Sequence, residues 1–218
     1  NSLALGQMVK QKNLILAFEN TAIKNADLAI QQSERTDRPT ERPILDRWIM
    51  TRLNQTGLQV DKGLERLDVF RATRAMEELV DDLSTWYLRR SRDRFKGDDV
   101  DDKKNALATT RFVIHEVAKV LAPFMPFLAE DLYQSIKGEK ESVHLEMWPV
   151  AQNPHEKLLE EMAMVRKTVS LGLEARSKAG IKVRQPLGEL RIKNNESRIT
   201  ENRQLVELMK DEVNVKKI

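Results

Sequence analysis

Apolar side chains recur every three to four residues along most of the chain, which is the spacing that places them on one face of an α-helix. The clearest run begins at Ile44 and is formed by Leu45, Ile49, Leu53, Thr56, Val60, Leu64 and Leu67. Asp68 follows as a predicted N-cap, because its carboxylate can accept a hydrogen bond from a free backbone N–H of the next helix. That next helix carries a second apolar face, formed by Leu79, Leu83, Trp86 and Tyr87.

The remaining pattern predicts further helices and a small amount of strand. An acidic turn over 98–104 leads into a helix that is broken by Pro123 and Pro126. Beyond it we expect a short helix over 127–136, an extended or irregular segment over 138–148, a long helix over 155–178, short strands within 181–193, a helix over 197–210 and a strand over 213–218. A helix over 3–30 and a proline-containing linker over 33–43 precede all of these.

This order of elements predicts a mainly α fold, namely a helical bundle with a small α/β tail. We divide the chain into an N-terminal helix and linker (1–43), the helical bundle (44–150), and a long helix with a small α/β tail (151–218).

Composition narrows the class of protein. Charged residues make up 33% and apolar residues 40% of the 218 residues, which is too apolar for a disordered chain and too interrupted by charge for a membrane protein. The absence of cysteine excludes disulfides, thiolate nucleophiles and cysteine-ligated zinc, and it fits a cytoplasmic protein. The net charge of +3 is too small to identify a partner by itself.

The sequence contains no recognisable catalytic constellation. There is no glycine-rich phosphate loop and no serine or cysteine in a nucleophile elbow. The histidines His115, His144 and His155 lack the spacing of metal ligands. We therefore predict no catalytic, cofactor-binding or metal-binding residue, and the interpretation turns to binding.

The segment from Trp86 to Lys96 is the first candidate binding surface, because it is rich in arginine. Arg90 and Arg94 continue the apolar stripe and are expected to be structural, with Asp81, Asp82 and Asp93 as nearby acids. Arg89 and Arg92 point the other way. A guanidinium group can hydrogen-bond phosphate oxygens in bidentate fashion. The alternative is that these arginines form ion pairs within or between helices.

A second basic segment follows the long helix. Arg176, Lys178, Lys182 and Arg184 occur between Ala175 and Leu187 without an acidic residue among them. A basic strand and loop beside a helix end could contact a nucleic-acid backbone. The alternative is a solvated turn stiffened by Pro186.

Five strings in order resemble one family, the class I aminoacyl-tRNA synthetases. They are ILDRWI (44–49), VDDLSTWYLRRSR (80–92), LAPFMPFLAE (121–130), SVHLEMWP (142–149) and KAGIKVRQPL (178–187). Their order resembles the helical anticodon-binding domain that follows the catalytic domain in these enzymes. The last string is more similar to the isoleucyl members than to the valyl, leucyl or methionyl ones.

The resemblance implies a binding function for this chain within a larger enzyme. The parent would join isoleucine to its tRNA using ATP and Mg²⁺, with catalytic and editing domains elsewhere, because the adenylate-forming signatures do not occur here. The bundle would lie along the anticodon stem. Arg89, Arg92, Arg176, Lys178, Lys182 and Arg184 are then the candidate tRNA-binding residues, whereas Trp86 and Tyr87 are expected in the core and Trp48 on the flank of its stripe. The alternatives are a valyl, leucyl or methionyl enzyme, or a non-catalytic helical adaptor.

Overall fold

The computed structural model describes residues 42–192 and 202–218. The predicted helix over 3–30 and nearly all of the predicted linker lie outside the described residues. Over the rest, the fold is mainly α-helical with a small two-stranded sheet, as predicted. The chain forms two compact units that divide between Pro154 and His155.

The first unit is a helical bundle. The elements are α1 (Ile44–Glu65), α2 (Val69–Asp81), a π-helical segment (Asp82–Leu88), α3 (Arg89–Lys96), α4 (Val100–Leu121), α5 (Pro126–Ser135) and a 3-10 turn (Val143–Leu145). Helix α1 packs against α2 and α4, α3 packs against α4, and α4 packs against α5. The segment 138–148, predicted as extended or irregular, is irregular apart from the 3-10 turn.

The predicted stripe of α1 forms the core, with two corrections. Trp48 is only 1% exposed, so it lies inside the bundle and not on the flank of the stripe. Leu67 is 88% exposed and has a left-handed backbone, with φ of 57°. The reason is that α1 ends at Glu65, so that Leu67 belongs to a tight turn in which the Asp68 N–H donates to the Gly63 carbonyl at 2.8 Å. Asp68 then caps α2 as predicted, accepting from the Arg71 N–H at 3.0 Å.

The π-helical segment changes which residues of this long helical stretch face inward. Its i→i+5 bonding turns the chain more slowly than an α-helix does, so over Asp82–Leu88 the buried face lags by roughly one residue position. Tyr87 is fully buried as predicted, whereas Trp86 keeps part of its surface in solvent. The same lag places Ser91 at the buried position of α3 and leaves Arg90 half-buried.

The acidic turn caps α4. The Asp99 carboxylate accepts from the backbone N–H groups of Asp101 and Asp102 at 3.1 and 3.0 Å. Pro126 stands in the first turn of α5, where its missing N–H costs nothing. Among the helices of the described ranges, none carries an apolar run long enough to cross a bilayer.

The second unit is a long helix with a small α/β tail. It contains α6 (Glu156–Lys178), β1 (Leu187–Glu189), α7 (Arg203–Val213) and β2 (Val215–Lys217). The two strands are parallel, with Leu187 opposite Val215. Helix α7 packs against α6. Gly172 permits that approach, because a methyl group there would lie 3.2 Å from the Val213 side chain.

Candidate nucleic-acid interface

The outer side of α3 is basic. Arg89, Arg92 and Lys96 stand at i, i+3 and i+7, so they share one side of the helix, and all three are exposed. We call these three residues the basic face of α3. Asp93 lies on the same side and is also exposed, so the face retains an excess of positive charge. The structure thus places Arg89 and Arg92 in solvent, and their contact with nucleic acid stays a prediction. Lys96 was missed, although its i+7 spacing from Arg89 was visible in the sequence.

Arg89 is oriented along its own helix. Its Nε donates to the carbonyl oxygen of Thr85, one turn earlier, at 2.7 Å. That carbonyl belongs to the π-helical segment, whose altered bonding changes the direction of its carbonyl groups. The guanidinium plane is therefore held near the start of α3 and outside the bundle.

Arg94 lies on the inner side of α3 and forms the centre of a largely buried network. Its Nη1 and Nη2 donate to the two carboxylate oxygens of Asp46 at 2.7 and 2.9 Å. Its Nε and Nη2 also donate to Asp102, at distances between 2.7 and 3.0 Å. The Tyr87 hydroxyl donates to Asp46 at 2.8 Å. Arg94 therefore joins α3 to the first turns of α1 and α4.

The network shifts the titration of its members in the directions that its geometry requires. Burial raises the pKa of the Tyr87 hydroxyl, and the neighbouring Asp46 carboxylate raises it further. Burial alone would lower the pKa of Arg94, but hydrogen bonds to Asp46 and Asp102 outweigh it and leave that pKa raised. Arg94 thus stays charged and Tyr87 stays neutral across the physiological pH range.

The structural role predicted for Arg94 is therefore correct, but the acids predicted beside it are not its partners. Asp46 and Asp102 lie 48 and 8 residues away from Arg94 in sequence. Asp82 pairs instead with Arg52 of α1, whose Nε donates to it at 2.7 Å. This second pair is also well buried, with side-chain exposures of 14% and 4%. It ties the start of the π-helical segment to α1.

Arg176 of the second unit does not lie on the surface. It is only 4% exposed, and its Nη2 donates to the carbonyl oxygens of Lys182 and Val183 at 2.8 and 3.1 Å and also to that of Gln185. The prediction that Arg176 contacts phosphate is therefore wrong. Its side chain shapes the loop that precedes β1, because the loop backbone folds around the guanidinium group.

The other basic residues of the second segment are exposed. Lys182 and Arg184 project from the loop that Arg176 holds, and both lie in solvent. Lys178 is 75% exposed and pairs with Glu174 at 2.6 Å. Exposed pairs of this kind contribute little to stability and exchange easily. Lys178, Lys182 and Arg184 therefore remain candidate binding residues of the second unit.

Exposed aromatic residues are a feature that the sequence reasoning missed. Trp148 is 40% exposed and its indole N–H donates to Asp61 at 2.8 Å. It lines an open cavity of about 120 Å³ in the first unit, together with Phe112 and Glu116. Because Asp61 and Glu116 are acidic, this cavity is unsuited to phosphate. The spacing of apolar residues could not predict this cavity, because Trp148 follows an irregular segment.

Comparison with known proteins defines the class of the chain. The family model described as the anticodon-binding domain of tRNA ligase matches residues 46–193. This range covers more than half of the chain and includes the network around Arg94 as well as both basic segments. The chain therefore belongs to the anticodon-binding domain family of tRNA ligases.

Several relatives of the chain are isoleucine–tRNA ligases. The enzyme of Dehalococcoides mccartyi strain CBDB1 is 44% identical over 185 residues, which cover 81% of this chain and 18% of that protein. The enzyme of Deinococcus radiodurans is 43% identical over 155 residues, covering 70% of this chain and 14% of that protein. The enzyme of Streptomyces coelicolor is 41% identical over 165 residues, covering 71% and 15%. The chain thus spans less than a fifth of the length of these relatives.

Proposed function

We propose that the first unit binds tRNA and that the basic face of α3 contacts phosphates of the anticodon stem. The family match supports a tRNA-binding function. The observation that carries the proposal is the arrangement of α3, whose inner side is fixed by Arg94 while Arg89, Arg92 and Lys96 are presented to solvent. Arginine is suited to phosphate because its planar donors match two phosphate oxygens.

Contacts of this kind supply affinity but not base identity. Phosphates carry no sequence information, so the basic face of α3 would weaken or strengthen binding of all tRNAs to a similar degree. Lys182, Arg184 and Lys178 are proposed as a second, separate set of phosphate contacts in the second unit. Lys178 would exchange its exposed pairing with Glu174 for a phosphate.

For the whole protein we propose the activity named in its relatives, the ATP- and Mg²⁺-dependent joining of isoleucine to tRNA in the cytoplasm. Catalytic and editing domains of the same polypeptide would act on the tRNA that this region holds. The isoleucine–tRNA ligase relatives favour this function over the valyl, leucyl and methionyl alternatives. Competition between isoleucine tRNA and valine tRNA for aminoacylation by the whole protein tests it.

The test of the binding proposal is a salt series of tRNA binding by the chain. Each phosphate contact contributes about 0.9 to the log–log slope of affinity against salt for a duplex. The Arg89→Ala/Arg92→Ala variant should therefore flatten the slope by about two units, for cognate and non-cognate tRNA alike. The matched control is Arg71→Ala/Arg74→Ala on α2, which removes the same charge from exposed positions of the same unit.

Circular dichroism must show that each variant is folded. A folded Arg89→Ala/Arg92→Ala variant with the wild-type slope would remove these residues from the interface. Equal flattening in the α2 control would mean that only the overall charge matters. A loss confined to the cognate tRNA would assign Arg89 and Arg92 to base recognition and contradict a phosphate role.

A further inference from the structure

Helix α3 has few fully buried side chains of its own to fix its rotation. It is only 8 residues long, and Ser91 is its only fully buried residue among those described. Its backbone continues directly from the π-helical segment, so its rotation depends on whether that segment keeps π-helical bonding or adopts α-helical bonding. The α-bonded form would rotate α3 by about one residue position, roughly 100°, and carry Arg89 and Arg92 away from their present direction. Contacts made by the side chains of α3 can therefore select the rotation.

We propose that Arg94 is the positioning residue of the basic face of α3, holding this helix at one rotation against Asp46 and Asp102 so that Arg89 and Arg92 meet the RNA together. This inference rests on the proposed function. Under this proposal Arg94 influences tRNA affinity without contacting tRNA itself.

The geometry supports a positioning role because the two carboxylates are held by the parts of the bundle that α3 must face. Asp46 is fully buried in the first turn of α1, and Asp102 lies in the first turn of α4. The Asp46 carboxylate accepts hydrogen bonds from both terminal nitrogens of Arg94, and the Asp102 carboxylate accepts from its Nε. The donors of a guanidinium group lie in one plane at fixed angles, so satisfying both acids defines the orientation of the side chain.

The charge of the network also favours positioning over plain stability. Two carboxylates face one guanidinium group, with side-chain exposures of 0% for Asp46, 34% for Asp102 and 15% for Arg94. Burying such groups costs desolvation energy, and apolar residues of similar volume often give equal or higher stability. What the ionic arrangement adds is a single geometry, because apolar side chains in place of this network could be buried with the preceding segment in either π-helical or α-helical bonding.

The direct test measures the rotation of α3 without RNA. The chain has no cysteine, so Asp93→Cys on α3 and Gln59→Cys on α1, both at exposed positions, allow two spin labels to be attached specifically. In the otherwise wild-type protein the label–label distance should have one narrow distribution. Arg94→Lys should broaden or shift it, because an ammonium group cannot bond both carboxylates in the same plane.

The matched control is Tyr133→Phe on α5, which likewise removes a phenol–carboxylate hydrogen bond, to Glu146, but outside the Arg94 network. It should leave the distance distribution narrow. If Arg94→Lys does not fold, Asp102→Asn replaces it, because this variant weakens only the partly exposed side of the network. A narrow, unshifted distribution in every folded network variant overturns the proposal.

The functional arm is the same salt series of tRNA binding. Arg94→Lys should weaken tRNA binding about tenfold or more, as losing two charge-assisted contacts would, and flatten the slope as Arg89→Ala/Arg92→Ala does. The variant that combines Arg94→Lys with Arg89→Ala and Arg92→Ala should have the same salt slope as Arg89→Ala/Arg92→Ala alone. Additive effects, or a wild-type slope despite a broadened distance, overturn the positioning role. If Arg89→Ala/Arg92→Ala alone leaves the slope unchanged, the proposed function fails, and the distance measurement decides separately whether Arg94 sets α3.

Discussion

Replacing Tyr87 with phenylalanine tests the buried network at a single atom. The ring is fully buried and keeps its apolar contacts in the variant. What is lost is the hydroxyl, which donates to Asp46 at 2.8 Å and lies 3.4 Å from the Ala106 carbonyl oxygen. The substitution should therefore reduce stability without changing the fold.

The size of the loss in stability follows from the charge of the Asp46 carboxylate that accepts the hydrogen bond. A hydrogen bond to a charged group contributes about 1.5–3 kcal/mol. Asp46 keeps both of its bonds from Arg94 in the variant, so its charge is not left without donors. We expect Tyr87→Phe to lower the free energy of unfolding by about 2 kcal/mol near neutral pH.

The loss should depend on pH in a defined direction. The folded pKa of Tyr87 is raised, whereas an unfolded tyrosine ionises near pH 10. Above that pH the unfolded wild type releases a proton that the folded state retains, so wild-type stability falls as pH rises. Phenylalanine has no such proton. The difference between the two proteins should hence be about 1.4 kcal/mol smaller at pH 11 than at pH 9.

Urea unfolding followed by circular dichroism measures both quantities, provided that the two proteins have equal dependence on denaturant. All other side chains are the same in the two proteins, so their contributions cancel in the comparison. A loss below about 0.5 kcal/mol at neutral pH would show that the hydroxyl is not buried against a charged acceptor. A difference that stays constant from pH 9 to 11 would contradict the raised pKa.

Two further predictions concern the loops. Arg176→Met removes the donor that holds the loop before β1, so amide exchange of Leu187 should lose protection while the amides of α1 keep theirs; equal protection in both proteins would contradict the role of Arg176. The Glu130 carboxylate accepts from Ser142 Oγ and the Val143 N–H at 2.8 and 3.0 Å, and hydrogen bonds to Gln134 and Ser142 lower its pKa. A lowered pKa means that this stabilisation is present above the ordinary glutamate pKa and is lost as pH falls below it. Protection of the Val143 amide should therefore fall on acidification in the wild type, but not in Glu130→Gln.

Much of the fold could be predicted from the sequence because its helices are long and amphipathic. The stripe from Leu45 to Val60 needs only local spacing, and Asp68 needs only its own N-cap chemistry. The turn at Leu67 could not be predicted in this way, because apolar spacing continued past the true end of α1. A methyl group on Gly63 would lie 3.0 Å from the Ala72 methyl group, so this glycine lets the start of α2 lie against the end of α1, and local spacing does not reveal such a contact.

The candidate site was predicted less completely, for a physical reason. A change from α- to π-helical bonding leaves no mark in apolar spacing, so the inward residues of α3 were assigned as Arg90 and Arg94, and the fully buried Ser91 was missed. The partner Asp46 lies in another helix, and only tertiary packing brings it to Arg94. Arg176 looked like a surface charge because nothing local reveals that a loop backbone will fold over it.

The π-helical segment makes the direction of the basic face of α3 sensitive to chain length at one place. Because the slower turn of this segment accommodates about one residue more than an α-helix would, deleting one residue between Ser84 and Tyr87 would let it return to α-helical bonding with α3 close to its present rotation. An inserted residue cannot be compensated in this way. It would rotate α3 by roughly 100°, so that Arg94 would lose Asp46 and Asp102 and the basic face would point in another direction. One added codon should therefore redirect the whole basic face, whereas the loss of one codon should leave it in place. Insertions should accordingly be tolerated in the loop around Lys137 far more readily than in this segment.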